Sequence, residues 1–407
     1  MGERKTVKQA PRGIRLVIAL IGRRNSGKSS LINAITKQKI AIVSEQPGTT
    51  TDPVGKHYEL LPLGPVTFFD TAGLDDQGEL GSLRIQSTRK ILFRTDLAIL
   101  VIGENGITNA DKAILTDVHA MTIPVIVVFN KSDLASPSKA DIDFCSHQGI
   151  PFISTSAKTG ENITLLKSKL IDLAPPEMKK EPQIVSDLIT EGNTVVLVVP
   201  IDLGAPKGRL ILPQVQVIRE ILDCDACAIV VKERELAGIL ENLAVPPALV
   251  IADSQVILKV AGDINENIPL TTFSILFARM KGDIHHLIQG AQAIDNLNDN
   301  DRILIAEACS HHVQADDIGR VKIPRWLTRY TGKDLSFEVY SGHDFPEDLS
   351  SYRLVVHCGS CMLNRMEMIR RINECQRRGI PITNYGLTIA KTLGVFDRVI
   401  APLKTTC

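Results

Sequence analysis

A glycine-rich segment near the start of the chain has residues of the kind that bind phosphate groups. It reads Gly22-Arg-Arg-Asn-Ser-Gly27-Lys28-Ser29, which is the spacing of a P-loop between a predicted strand and a predicted helix. The glycines let backbone N–H groups curl around phosphates at a helix N-terminus. Lys28 would neutralise the β- and γ-phosphates, and the Ser29 hydroxyl would reach Mg²⁺. The predicted nucleotide contacts of this segment are Gly22, Asn25, Ser26, Gly27, Lys28, Ser29 and Ser30.

Two further segments distinguish GTP from ATP, which a P-loop alone does not. Segment 130–133 reads Asn-Lys-Ser-Asp after a predicted strand, and its aspartate would accept hydrogen bonds from N1 and N2 of guanine. Adenine lacks this pair of donors and is rejected. Segment 156–158 reads Ser-Ala-Lys after the next strand and would support the base from the other side. The predicted guanine contacts are Asn130, Lys131, Asp133, Ser156, Ala157 and Lys158.

Catalysis would depend on a segment that reads Asp70-Thr-Ala-Gly73 at the end of a strand. Asp70 would complete the magnesium shell, and Gly73 would swing toward the γ-phosphate. The next residue is Leu74, where Ras-type enzymes have a water-orienting glutamine. We therefore expect slow intrinsic hydrolysis unless another group positions the water. Glu79 is a candidate for that group, and a solvated surface role is its alternative.

A second cluster of chemically active residues lies far along the chain. Cys309-Ser-His311 and His357-Cys358-Gly-Ser-Cys361 each follow a predicted strand, 302–306 and 353–357. Ligand-binding residues of parallel sheets gather at the carboxyl ends of the strands, so the two groups can converge. Zinc would take a closed set of four ligands such as three cysteines and one histidine. An iron–sulfur cluster prefers four thiolates, and only three cluster here, so the residues alone leave both metals open.

Structural roles are the alternative for several of these residues. Arg23 and Arg24 border the phosphates, where a solvated or structural role competes with a catalytic one. The cysteines have a structural alternative as well. Cys309 and Cys358 would then be buried thiols at strand ends. Cys224-Asp-Ala-Cys227 is a further Cys-x-x-Cys pair without a second pair nearby, which favours structural thiols over a redox or metal site. The cysteine spacing of radical enzymes, Cys-x-x-x-Cys-x-x-Cys, does not occur in the sequence.

The elements that position these residues fall into three segments. From about 14 to 175, predicted strands at 15–21, 66–70, 96–102, 125–130 and 152–155 alternate with helices, which is typical of a mostly parallel sheet. A Pro-rich charged stretch, 174–182, follows as a linker. The middle segment has predicted strands at 194–200, 226–231 and 248–252, and the last has strands at 302–306, 335–339, 353–357 and 381–384. We predict an α/β protein with domains at 1–175, 183–266 and 267–407, the last a smaller parallel sheet carrying a metal.

Composition limits the class of protein. The chain has 407 residues, 44% apolar and 23% charged, with 46 basic and 46 acidic side chains. A balanced charge does not favour a nucleic-acid or membrane partner. Lys and Arg precede the apolar stretch 16–21, but that stretch is short and leads directly into the P-loop, so we expect a strand and not a signal peptide. We expect a cytoplasmic location, where most of the eight cysteines stay reduced.

The first segment resembles the TrmE/Era-like branch of Ras-like GTPases, which contains the tRNA-modifying GTPases. Pro47-Gly-Thr-Thr50 matches the switch I of that branch, so the resemblance assigns Thr50 to Mg²⁺ beside Ser29 and Asp70. The adjacent Thr49 and Thr51 are the alternatives, one residue away on either side. The catalytic set that this implies is Lys28, Thr50, Asp70 and Gly73. Asn25 matches the P-loop asparagine of potassium-activated members, which implies stimulation by K⁺.

The whole chain is similar to the FeFe-hydrogenase maturation GTPases, the HydF family. The pattern Cys-x-His and then His-Cys-x-x-Cys, behind a G domain and a short middle domain, carries this resemblance. It implies a 4Fe-4S cluster on Cys309, Cys358 and Cys361, with His311 and His357 as exchangeable or supporting groups. It also implies a homodimer formed by the middle domain, and a scaffold that passes a di-iron subcluster to the hydrogenase alongside radical-SAM maturation enzymes. The competing hypothesis is a zinc-stapled tRNA-modification or ribosome-assembly GTPase.

Overall fold

The computed structural model describes residues 15–37, 55–71, 88, 90–174, 183–200, 210–308, 317–346, 348–360 and 363–404. The chain divides into two compact units, Met1–Glu181 and Pro182–Cys407. Both have the α/β architecture that the alternating pattern predicts.

A six-stranded sheet with the order β2-β3-β1-β4-β5-β6 forms the centre of the first unit. All neighbouring pairs are parallel except β2 with β3. The strands are β1 (Leu16–Ile21), β2 (Gly55–Leu60), β3 (Gly64–Asp70), β4 (Leu97–Ile102), β5 (Val125–Asn130) and β6 (Phe152–Thr155). Helices α1 (Lys28–Thr36), α2 (Asn109–Ala120), α3 (Lys139–His147) and α4 (Ile163–Leu173) accompany these strands.

The central strands are apolar throughout because helices cover both faces of the sheet. Successive side chains of a strand point to opposite faces. In β4, Ile99 and Val101 therefore join one apolar core with α1 and α4, whereas Leu100 joins a second core with α2. The five predicted strands are present, and the antiparallel edge strand β2 is an addition to them.

Two parallel four-stranded sheets form the second unit, and the first of them has the order β10-β9-β7-β8. Its strands are β7 (Thr194–Val198), β8 (Cys227–Val231), β9 (Leu249–Ala252) and β10 (Leu270–Thr272). The helices that accompany them are α5 (Leu212–Asp223), α6 (Leu236–Asn242), α7 (Ile257–Asp263) and α8 (Phe273–Lys281). Strand β10 lies beyond the sequence-based limit at 266, yet it pairs with β9 of the middle sheet.

The other sheet of this unit has the order β12-β11-β13-β14 and is also parallel, as expected for the last segment. Its strands are β11 (Arg302–Glu307), β12 (Ser336–Ser341), β13 (Leu354–His357) and β14 (Ile382–Asn384). The surrounding helices are α9 (Ile284–Gln292), α10 (Ile323–Thr331), α11 (Arg365–Arg377), α12 (Tyr385–Thr392) and α13 (Phe396–Lys404). One continuous apolar core includes residues of both sheets, which explains why 182–407 is one compact unit.

Helix α8 connects the two sheets of the second unit. It begins where the Thr272 side chain accepts a hydrogen bond from the N–H of Ile275, and it ends before Gly282. Nearly all its side chains are buried, including those of Phe277 and Lys281. Within the part of the chain that the structure describes, no helix has the length and apolar character needed to cross a membrane.

Candidate nucleotide and metal sites

The P-loop connects β1 to α1 in a conformation that glycine makes accessible. Gly22 has φ 142° and Gly27 has φ 91°. A Cβ atom on Gly27 would lie 2.3 Å from Nδ2 of Asn130, so this position has no room for a side chain. The Lys28 ammonium donates to the carbonyl oxygens of Gly22 (2.8 Å) and Arg23 (2.9 Å), which holds it over the loop that would cradle the phosphates.

The two described members of the predicted magnesium shell are in contact. Asp70 is the last residue of β3, which pairs with β1, and its carboxylate accepts a hydrogen bond from the Ser29 hydroxyl at the start of α1. A carboxylate and a hydroxyl so placed are ligands that Mg²⁺ prefers. Thr50 and Gly73, which complete the predicted catalytic set, lie outside the described residues, as do Leu74 and Glu79.

Asn130 joins three of the predicted motifs. It is the last residue of β5 and is 4% exposed. Its Nδ2 donates to the carbonyl of Ser26 in the P-loop at 3.0 Å, and its Oδ1 accepts from the N–H of Ala157 at 3.1 Å. The phosphate loop and both guanine segments therefore have a fixed mutual position.

The predicted guanine-binding carboxylate is held ready to accept. The Ser156 hydroxyl donates to Asp133 at 2.6 Å, and this hydrogen bond is the main reason that the pKa of Asp133 is lowered. The adjacent Lys131 forms an ion pair with Glu104 at 2.6 Å. Lys158 is exposed beside them, as are Asn25 and Ser30 in and after the P-loop.

Arg23 has a structural role despite its position in the P-loop. Its guanidinium contacts the fully buried carboxylate of Asp111 in α2 at 3.2 Å and donates to the carbonyl of Gly106 at 2.6 Å. These contacts tie the P-loop to the segment after β4. Of the two interpretations of Arg23, the contacts favour the structural one.

The two halves of the predicted metal motif follow adjacent parallel strands. Ala306 of β11 is in register with His357 of β13. The backbone N–H of Ala308 donates to Sγ of Cys358 at 3.0 Å, and the N–H of Cys358 donates to the carbonyl of Ala306 at 2.9 Å. Cys309 directly follows Ala308, so this contact supports the predicted convergence. Cys309, His311 and Cys361 themselves lie outside the described residues.

His357 is fully buried, and both of its ring nitrogens have partners in the protein. Arg371 donates to Nε2 at 2.9 Å, which leaves the proton on Nδ1, next to the Cys358 carbonyl (3.0 Å) and the Ser360 hydroxyl (3.1 Å). Burial and then the Arg371 charge lower the pKa of His357 to about 3, so the ring is neutral. Of its two proposed roles, these contacts favour support of the cysteine loop over iron ligation.

A set of buried charges surrounds this loop, and sequence reasoning missed it. Arg371 and Glu367 of α11 form an ion pair at 2.9 Å, with side chains 0% and 2% exposed. Glu367 also accepts from His343 at 3.0 Å, and Lys281 of α8 is 3% exposed. The spacing of Glu367 and Arg371, four residues apart on one helix, was the only available signal. Among the described residues, no three or more His, Cys, Asp or Glu side chains are grouped to hold a metal ion.

Three family models match the chain. Residues 17–131 match a model described as "50S ribosome-binding GTPase". Residues 184–282 match the "Hydrogen maturase F dimerization domain", and residues 285–402 match the "Hydrogen maturase F tetramerization domain". These matches identify a GTPase domain followed by two domains that are named for one protein.

Relatives with curated descriptions share part of this chain. The tRNA modification GTPase MnmE of Prochlorococcus marinus is 39% identical over 152 residues, which is 36% of this chain and 32% of that protein. GTPase Der of Nautilia profundicola is 33% identical over 205 residues, 47% of this chain and 44% of that protein. The chain thus spans less than half the length of either relative.

The G domain of the T. maritima FeoB iron transporter is a similar solved structure. It is 26% identical, covers 39% of this chain and 98% of that chain, and has a TM-score of 0.32. The models of the two hydrogen maturase F domains follow the GTPase domain and together match more than half of the 407 residues. On these matches, the chain belongs to the hydrogen maturase F (HydF) family of GTPases.

Proposed function

We propose that this chain is a GTPase and 4Fe-4S scaffold that assembles or transfers the di-iron subcluster during FeFe-hydrogenase maturation. One observation carries the scaffold part of the proposal, the hydrogen bond from the Ala308 N–H to Sγ of Cys358. It supports the convergence of Cys309 and Cys358 at one edge of the sheet. The proposed domains are the G domain at 1–175, a dimerisation domain from 183 and a cluster domain to 407. The sequence-based boundary between the last two, 266/267, moves to about 282, because β10 pairs with β9 and residues 184–282 match one domain model.

The described surroundings fit an iron–sulfur cluster. Cys309, Cys358 and Cys361 would hold it as thiolates, and N–H donors to sulfur stabilise such ligands. The buried cations Lys281 and Arg371 suit an anionic occupant. With three thiolates, the cluster would supply one iron position open to an exchangeable ligand. A carrier that must release its cargo benefits from such a position, for which His311 is the remaining candidate group.

Hydrolysis of GTP would use the magnesium and guanine contacts of the first unit. Asp70 and Ser29 would hold Mg²⁺ together with Thr50, and Asp133 would select GTP and GDP. Loss of the γ-phosphate would release the switch segments and change the contacts with partner proteins. We propose the hydrogenase and its radical-SAM maturation enzymes as those partners, with K⁺ as an activator through Asn25.

Oligomerisation would use an exposed sheet edge. Strand β8 lies at the edge of the middle sheet, and its Cys227 and Val230 side chains are exposed, the latter by 46%. An exposed strand edge is a template for pairing with a second copy around a two-fold axis. The dimerization and tetramerization domains of the family fit this assembly.

An in vitro maturation assay tests the proposed function. Inactive FeFe-hydrogenase and its other maturation proteins are incubated with GTP and either the wild-type chain, Lys28→Ala or Cys358→Ser. We expect hydrogenase activity with the wild type alone. Full activation by Cys358→Ser would contradict the scaffold role, and full activation by Lys28→Ala would contradict coupling to the nucleotide. A wild-type chain that binds zinc and activates no hydrogenase would instead favour the zinc-stapled GTPase.

A further inference from the structure

Lys281 is a buried lysine that donates hydrogen bonds to two carbonyls of the cysteine loop. It is the last residue of α8 and is 3% exposed. Its Nζ donates to the carbonyl oxygens of Ser360 (2.6 Å) and Leu363 (2.7 Å), which are 79 and 82 residues away in sequence. These two residues enclose the position of Cys361, and Ser360 lies two residues after Cys358. A single side chain therefore fastens the segment that carries both thiols of the motif.

One described residue of the loop, Ser360, has a backbone conformation that needs support from its surroundings. Ser360 has φ 54°, a left-handed conformation that is unfavourable for a residue other than glycine. Ser360 is also 3% exposed. Its hydroxyl contacts Nδ1 of His357 at 3.1 Å and donates to the carbonyl of Cys358 at 3.3 Å. A strained residue persists only where its surroundings hold it. The bond from Lys281 holds the carbonyl of this residue.

Burial of the Lys281 ammonium depends on the loop in return. Removing a charged group from water is costly unless hydrogen bonds replace the lost hydration. Two of the replacing bonds come from the carbonyls of Ser360 and Leu363. The ammonium and the loop conformation therefore stabilise each other.

The positive charge of Lys281 would stabilise an anionic cluster bound beside it. Arg371 is fully buried and donates to Nε2 of His357, and the charges of Arg371 and Lys281 both lower the pKa of that histidine. The carboxylate of Glu367 compensates Arg371 at 2.9 Å. Three thiolates add negative charge to a cluster, and one-electron reduction adds more. A buried cation beside the loop favours the reduced form, because its field is weakly screened there.

Helix α8 also links this loop to the segment that matches the dimerization domain. Residues 184–282 match that domain, and Lys281 lies at its end. The preceding residue, Met280, accepts a hydrogen bond through its carbonyl from Arg365 at the start of α11, at 3.2 Å. The end of α8 is thus bonded to the cysteine loop and to the helix that follows it.

We propose that Lys281 is a positioning residue that holds the described parts of the cysteine loop, 358–360 and 363, in place and raises the reduction potential of a cluster bound to the thiols of that loop. The second half, the effect on the reduction potential of the cluster, rests on the proposed function. The first half concerns the protein without metal and is tested separately.

Hydrogen exchange on the metal-free full chain tests the first half. The Cys358 N–H donates to Ala306, and the Leu363 N–H donates to the carbonyl of Ser360. In Lys281→Met we expect protection of these two amides to fall by about tenfold or more, because the loop opens locally. The matched control is Lys391→Met, whose lysine pairs with Asp295 at 2.7 Å and not with the loop. Unchanged protection in Lys281→Met would overturn the positioning role.

A redox titration followed by EPR tests the second half on protein reconstituted with iron and sulfide. Lys281→Met should shift the ratio of oxidised to reduced cluster about tenfold toward the oxidised form at a fixed potential. This corresponds to a decrease of about 59 mV in the one-electron reduction potential. Lys391→Met should keep the wild-type potential. If the wild type binds a cluster and Lys281→Met has the same reduction potential, the electrostatic role of Lys281 is overturned, whereas the proposed function is not. A wild type that binds no cluster would instead contradict the proposed function.

Two further variants separate the charge from the hydrogen bonds, and they replace Lys281→Met should that chain not fold. Lys281→Gln keeps N–H donors and removes the charge, whereas Lys281→Arg keeps both. We expect a lower reduction potential in Lys281→Gln than in Lys281→Arg, and amide protection in both variants close to that of the wild type. Equal potentials in these two variants would contradict the electrostatic role of Lys281.

Discussion

The backbone N–H of Ala308 donates a hydrogen bond to Sγ of Cys358 at 3.0 Å, across two adjacent parallel strands. This contact brings together two parts of the chain that are 50 residues apart. It places the residue before Cys309 against the first thiol of the Cys-x-x-Cys pair. The buried charges of Lys281, Arg371 and Glu367 are grouped around the same loop.

Arg371→Met should destabilise the second unit strongly. The substitution leaves the Glu367 carboxylate, which is 2% exposed, without its buried cation, and removes the donor to His357. Loss of one partner of a buried ion pair costs about 3 kcal/mol in the free energy of unfolding. Denaturant unfolding of the full chain, followed in the second unit, gives the value.

The matched control for that experiment is Arg377→Met on the same helix. Arg377 pairs with Glu374 at 2.9 Å, but its side chain is 72% exposed. Exposed pairs contribute little, so we expect no measurable change. An equal decrease in the free energy of unfolding in the two variants would show that burial does not increase the contribution of the Glu367–Arg371 pair to stability.

Acid should destabilise the metal-free second unit through His357. Burial lowers the pKa of this ring from 6.5 to about 3. The unfolded chain therefore binds a proton as the pH falls below 6.5, whereas the folded chain does not, and the free energy of unfolding decreases. Between pH 7.5 and pH 5 this single group should remove about 2 kcal/mol.

The measurement is the pH dependence of unfolding in the wild type and in His357→Gln. The variant lacks the titrating ring, so its free energy of unfolding should change less over the same interval. Identical pH dependence in the two chains would mean that the pKa of His357 is not lowered in the folded protein.

Asp133→Asn should change the choice of nucleotide base. The carboxylate accepts from both donors of guanine, whereas an amide presents one acceptor and one donor. We expect GTP affinity to fall by about tenfold or more, and affinity for xanthosine triphosphate to rise, because xanthine has a carbonyl where guanine has its amino group. Calorimetric titration with both nucleotides measures this change.

The control for base selection is Asp143→Asn, on the exposed surface of α3. It removes the same charge from the same unit without touching the base, so GTP affinity should stay at the wild-type value. A loss of equal size in both variants would indicate an effect of net charge and would contradict recognition by Asp133.

Periodicity and motif spacing predicted most of the fold. Strands such as β4 and β5 are unbroken apolar runs, and this is the signature of strands buried on both faces. Strand β2 was missed because Gly55–Leu60 is half exposed and mostly polar. Strand β10 was missed because it has three residues and runs directly into α8.

The candidate sites were predictable where chemistry imposes a spacing, as in the P-loop and the cysteine motif. The residues that support them were not. Lysine and arginine side chains usually lie in solvent, so the burial of Lys281 and Arg371 could not be predicted from their residue types. Their role comes from partners 79 or 14 residues away, which no local pattern indicates.

The most direct test of the account is iron and sulfide analysis with EPR after dithionite reduction, on anaerobically reconstituted protein. We expect about four iron and four sulfide per chain in the wild type and in Cys227→Ser, whose thiol lies on the exposed edge strand β8. In Cys309→Ser, Cys358→Ser and Cys361→Ser, we expect the signal of the reduced cluster to be lost or altered. One zinc per chain and no EPR signal in the wild type would contradict the scaffold account and leave a zinc-stapled GTPase.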